Sequence, residues 1–257
     1  ALVAAVATMS VSCNKEQPLN GQNPDSEIPG EVTQDNPETT EVKLIAEYPA
    51  PIENKSTIAD DGKVSWEEGD EITLYYKEGS VVASTTARAL SGGRSAEFSA
   101  TFPSGITEVY AVYPAGKGEL GSDGTFTVKP GDSTDGTFSA ANYAVAWAEV
   151  EDETHLAFKN AIGLLKIELP NAGTLTHGDD SFTLSAITLS AKTGTVAFTG
   201  DIPVSINSGE ISFGTATNTA EQVRVELSAA ARASGAAYIP VLPFTASDGL
   251  VFRFEDA

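Results

Sequence analysis

The sequence predicts an all-β protein made of two antiparallel β-sandwiches of the immunoglobulin-like kind, the second of them incomplete. Three observations carry that reading. Apolar and polar residues alternate through run after run from Val42 onward; Gly, Asp and Ser clusters punctuate the runs; helical spacing is faint, reaching one turn at Ala229–Ala233. A chain of 257 residues, 41% of them hydrophobic, is long enough for one or two buried cores.

The runs come in order. Ile72, Leu74 and Tyr76 alternate with Glu71, Thr73 and Tyr75, and Val109, Ala111 and Tyr113 alternate with Tyr110 and Val112. Leu165, Ile167 and Leu169 face one way while Lys166 and Glu168 face the other. The pattern returns in Phe182–Ser190, and again where Val223, Val225 and Leu227 oppose Arg224 and Glu226. Between them stand DDG at 60–62, EEGD at 67–70, SGG at 91–93, SDG at 122–124, PGD at 130–132 and SDG at 247–249, all turn chemistry. About a dozen short strands so spaced belong to sandwiches. The acidic EVEDET stretch puts a boundary near Glu151–Thr154, giving a first sandwich over 42–152 and a second over 153–257.

The two ends read differently from the body. Residues 1–12, ALVAAVATMSVS, have the small apolar character of the end of a secretory signal peptide, and the single cysteine, Cys13, follows at once. A lone cysteine is usually a buried structural residue, but the next 28 residues offer nothing to bury it, so lipidation at Cys13 is expected. Residues 14–41 carry four prolines, seven acidic residues and one lysine, so 13–41 reads as an acylated cysteine followed by a disordered acidic tether. VFRFEDA at the other end stops at or just past a strand, and the sequence is expected to continue beyond it.

Composition narrows the function. A formal charge of −21 repels phosphate, which argues against a nucleic-acid partner. No run approaches the roughly 18 apolar residues of a membrane-spanning helix. His155 and His177, 22 residues apart with no thiolate set around them, do not make a metal site. No GxSxG, HExxH or phosphate-loop motif occurs. Asp179–Asp180 with Glu210, or Asp60–Asp61 with Glu67–Glu68, could pair carboxylates for glycoside chemistry, but in so acidic a chain such pairs arise by chance in turns. The expectation is a protein that is not an enzyme and holds no metal or cofactor.

Two local features stand out. In KVSWEEGDEITLYY (63–76), Trp66 precedes an acidic turn in which Gly69 permits the geometry and Asp70 can bond back to the backbone. Trp66 is expected to plug a core, with a sugar-stacking platform as the alternative. In VYAVYP (109–114), Tyr110 and Tyr113 point opposite ways, so they cannot share one core, and one of them is expected to be half-exposed.

Together these segments resemble the fimbrillin-like lipoproteins of Bacteroidetes, the subunits of type V pili. The resemblance rests on Cys13 and the acidic tether, then VKLIAEY (42–48), KVSWEEGDEI (63–72), TEVYAVYPA (107–115), AFKNAIGLLKIEL (157–169), ITLSAKTG (187–194) and YIPVLP (238–243). Ser10 stands where the familiar lipoprotein box has Leu, a looseness seen in Bacteroidetes lipoproteins. The resemblance implies two transthyretin-like sandwiches, export as an outer-membrane lipoprotein, and removal of an N-terminal strand by a protease. A strand from the next subunit would then fill the groove. Carried onto this sequence, the displaced strand is Val42–Tyr48, with Val42, Leu44 and Ala46 on one face and Tyr48 at its end. Oral members are cut after an arginine; here the first arginine is Arg88, and Lys55 is the nearest basic residue for that role.

Two readings follow. In the first the chain is a structural or adhesive fimbrial subunit whose partners are other subunits, the outer membrane through its lipid, and host or bacterial surface ligands. In the second it is a surface lipoprotein binding glycans or host ligands through a sandwich face, which requires exposed, clustered aromatics such as Trp66, Tyr75 or Trp147.

Overall fold

A computed structural model of the chain describes residues 39–47, 65–131, 134–138, 143–150, 154–177, 180–207 and 210–256. The fold is all-β and sandwich-like, with several sheets whose strands pair antiparallel except where Ile45–Glu47 runs parallel to His155–Ala157. Cys13, Tyr48, Lys55, Asp60, Asp61 and Asp179 lie outside the described residues, as do the signal-like segment and the tether up to residue 38.

One sheet accounts for the first half. Its strands are β1 (Thr39–Glu47), β2 (Glu71–Glu78), β3 (Val81–Ala89), β4 (Ser95–Pro103), β5 (Glu108–Tyr113), β8 (Ala144–Glu149), β9 (His155–Ala157) and β10 (Lys159–Asn160). Their order is β10-β8-β5-β2-β3-β4-β1-β9. The two ends of that order are consecutive in sequence, since Phe158 alone separates β9 from β10. Neighbouring Cα atoms lie about 3.8 Å apart, so the edges of the sheet must come together and the sheet rolls around its own apolar face. Leu44, Trp66, Ile72, Leu74, Phe98, Phe102, Val109, Tyr113, Leu156 and Phe158 fill the inside.

The outer face of β2, β5 and β8 is covered as well. Tyr75, Tyr110 and Val145 pack with a sheet made of β6 (Gly118–Leu120), β7 (Phe126–Val128), β14 (Thr199–Asn207) and β15 (Glu210–Phe213), with β16 (Thr217–Ala220) also on β14. Ile202, Pro203 and Val204 of β14 pair with Val128, Thr127 and Phe126 of β7. A third core lies between two small sheets: β11 (Gly163–Glu168) with β18 (Ala236–Val241), and β17 (Gln222–Glu226) with β13 (Asp180–Ala191) and β19 (Leu250–Asp256). β12 (Thr174–His177) pairs with the start of β13. Helix α1 (Ala229–Ser234) is the single turn expected there, with the Ser228 hydroxyl accepting from the Ala231 N–H and Gly235 closing it at φ 74°.

Sheet membership does not change at 152/153. β9 and β10 still belong to the first sheet, and β6 and β7, which precede that point, join β14, which follows it. Nor does the first strand start at Val42: Thr39, Thr40 and Glu41, assigned above to the tether, already pair with Pro103, Phe102 and Thr101.

Candidate functional site

The site that the sequence singles out is β1 and the groove holding it. Val42, Leu44 and Ala46 alternate with charged or exposed residues, which suits a strand with one buried face. The strand runs antiparallel to β4 over its full length, from Thr39 opposite Pro103 to Glu47 opposite Ser95. On its other edge it runs parallel to β9, over Ile45–Glu47 only. The Ile45 N–H donates to the Thr154 carbonyl at 2.8 Å, and the Phe158 N–H to the Glu47 carbonyl at 3.3 Å. Leu44 and Ala46 are wholly buried, Val42 packs against the same core, and Ile45 on the opposite face is 44% exposed.

The outward side carries the charges. Lys43 Nζ donates to Glu97 at 2.7 Å, the Ser99 hydroxyl donates to Glu41 at 2.7 Å, and His155 lies 3.5 Å from Glu47. The Glu97 hydrogen bond and charge hold the Lys43 ammonium above its ordinary pKa. Such solvated pairs align a strand without contributing much to holding it. The holding force is apolar burial and the ladder.

Trp66 closes the groove from inside. It is 2% exposed, which makes it the core plug and not a sugar platform. Its indole N–H donates to the Ala46 carbonyl of β1 at 3.0 Å. The rings of Phe98, Tyr113 and Phe158 stand edge-on around it at 5.2, 5.1 and 5.2 Å. The SGG turn fixes its backbone: the Trp66 N–H donates to the Gly93 carbonyl at 2.7 Å and the Gly93 N–H returns to Trp66 at 2.9 Å. A Cβ on Gly92 would stand 2.9 Å from the Trp66 carbonyl, and Gly93 has φ 127°, so both glycines serve this bridge. On the other side the EEGD turn forms as expected, with the Asp70 carboxylate accepting from the Glu67 N–H at 2.9 Å and Gly69 at φ 92°.

The remaining sequence candidates disperse. Tyr75 is buried against Phe126, and Trp147 is half-buried beside Tyr110 on the same covered face, so no exposed cluster forms from Trp66, Tyr75 and Trp147. Tyr113 enters the first core while Tyr110 stays half-buried on the second, as their opposite directions required. His155 sits on β9 and His177 on β12, in different sheets. Asp180 begins β13 and Glu210 begins β15, again in different sheets, while Glu67 and Glu68 are exposed in their turn. No group of three metal-ligating side chains occurs among the described residues.

The sequence did not reveal the Trp66–Ala46 bond, since nothing in a pattern links two residues 20 apart across a break in the strand order. Hollows flank these cores among the described residues. One, of about 740 Å³, is apolar and lined by Leu164, Ile202, Phe213, Val241, Leu242 and Phe244. Another, of about 560 Å³, is polar and lies at Asp70, Arg88, Tyr113 and Asp135. Comparison of the chain with protein-family models, with curated proteins and with solved structures returned no match.

Proposed function

We propose that this chain is a structural subunit of a cell-surface fimbria, exported as a lipoprotein through Cys13, assembled by β-strand exchange and without catalytic activity. The observation that supports this best is the placing of β1. It is the first described strand, it lies between β4 and β9, and it seals the main core with Leu44 and Ala46. It is followed by residues 48–64, so one cut in that stretch separates it from every later strand of the sheet. Loss of β1 opens the β4 edge and uncovers an apolar trough, a costly state that another extended strand relieves by pairing there. A subunit carrying such a strand becomes an acceptor only after cleavage, which keeps it from polymerising before export. Lys55 is the basic residue proposed to mark the cut.

The test is to cleave the protein between residues 48 and 64 and follow it by unheated gel electrophoresis and negative-stain microscopy. Heat-sensitive ladders and filaments that appear only after cleavage support the proposal. A cleaved protein that stays monomeric and keeps β1 sinks it.

A further inference from the structure

We infer that the seat of Ala46 beneath Trp66 sets the register of any strand in the β1 groove. The groove then selects an extended segment with a large aliphatic residue followed two positions later by alanine or glycine. This rests on the strand-exchange reading and adds what the exchanged strand must look like.

The problem is one of degeneracy. A strand that slips by one residue turns its apolar face to solvent, so that error is excluded by burial. Within the paired stretch a slip of two residues keeps the main-chain bonding pattern and keeps the faces. The ladder to β4 and the Trp66 indole, which reads only a carbonyl, are both blind to it. Side-chain volume must therefore break the tie.

The groove has two unlike seats. At Leu44 the β4 neighbour on the same face is Phe98, and the β9 ladder has not yet begun, because it starts at Ile45. At Ala46 both edges are occupied, with Ala96 opposite on β4 and Leu156 opposite on β9. The indole that bonds the Ala46 carbonyl cannot recede, since Phe98, Tyr113 and Phe158 wall it in. Ala46 and Ala96 are both buried, so the small residues are paired where the ring stands. A slip of two in one direction brings Leu44 into this narrow seat. A slip in the other direction empties the Leu44 seat, because Ala46 then occupies it. One direction overpacks and the other leaves a cavity, and each is destabilising.

The test uses the full chain, cut between residues 48 and 64 so that β1 is free to leave, and labelled peptides. The protein is mixed with a fluorescent peptide of the sequence of residues 39–47, or with the same peptide carrying L44A and A46L together, which has the same composition in reversed order. Uptake of the native-order peptide at least about tenfold above the reversed one supports the inference. Equal uptake overturns it while leaving strand exchange intact. Absence of uptake for either peptide counts against the strand-exchange reading instead, and the seat is then judged within the chain. There, the L44A/A46L double variant should unfold about 10 °C or more below the parent, as expected for several kcal/mol of mispacking in a domain of this size. Unchanged unfolding of that variant overturns the inference by itself.

Discussion

The two halves of the molecule solve the same problem differently. Around Trp66 the sheet closes on itself, and β1 has neighbours on both edges. Around Ile187 and Leu189, β11 pairs only with β18 among the described residues. The Tyr238 N–H donates to the Gly136 carbonyl, away from β11, so the Lys166–Tyr238 pair exchanges no ladder bonds. The main-chain groups of Leu164, Lys166 and Glu168 therefore point away from β18, along an open edge. Opposite that layer, Phe252 and Phe254 pair with Leu189 and Ile187 and share their core-facing side, yet they are 37% and 44% exposed. A sandwich of such short strands is completed by one strand more or less, and in the first half that strand is β1.

The sharpest break in the comparison is Trp66→Ala. It removes a buried ring and the donor to Ala46, and should cost about 3–5 kcal/mol in chemical denaturation, with the first half losing protection from hydrogen exchange first. Leu44→Ala should follow at about 2–5 kcal/mol. A cost for Leu44→Ala near that of an exposed substitution would mean that β1 does not seal the core.

An alkaline titration separates the halves by chemistry. Burial pushes the Tyr113 hydroxyl well above its ordinary range, and the Asp70 charge adds to the effect; burial also raises Tyr75, Tyr110 and Tyr143. A pKa raised on folding leaves the unfolded chain to lose its proton first. Stability is therefore whole below about pH 10 and falls as pH rises from there toward the folded values. All four tyrosines lie in 75–143, so the first half should open first, and Tyr113→Phe should soften the decline. An unfolding midpoint flat to pH 11 would contradict the burial of these hydroxyls.

In the second half, Phe252→Ser and Phe254→Ser should each cost less than Leu44→Ala, as expected for side chains more than a third of which already meets solvent. The smallest effect belongs to Glu255→Gln. Glu255 on β19 accepts from Arg224 of β17 and from Thr188 of β13, and these bonds hold its carboxyl below the usual range. The contribution is present above the ordinary carboxylate pKa and is lost as pH falls through the folded value. The pair is solvated, so its loss should be slight and should vanish at high salt.

Much of this was legible in the sequence because it is local. Ile72–Tyr76, Val109–Tyr113 and Phe182–Ser190 show period two and became β2, β5 and β13. Glu67–Asp70 formed its turn, and Ser228 and Gly235 bound a one-turn helix. What stayed hidden is non-local or too short to have a period. β9 and β10 span three and two residues, so their place in the first sheet rests on pairing alone. Thr39–Glu41 form strand with exposed side chains, so their pairing left no burial pattern to read. The pairing of β7 with β14 joins segments more than 70 residues apart, and the bond from Trp66 to Ala46 is a side chain reading another strand's carbonyl. Trp66 could be read as a core plug; that its indole bonds the Ala46 carbonyl of β1 could not.

The central claim is that β1 is a replaceable part. It is tested most directly by cutting the chain between residues 48 and 64 and adding an excess of an isotopically labelled N-terminal fragment containing Thr39–Glu47. Native mass spectrometry then reads which fragment the body holds. Replaceability requires the labelled fragment to displace the original progressively, with the body remaining folded throughout. A body that keeps its original β1 over days, or that unfolds whenever β1 leaves, would contradict it.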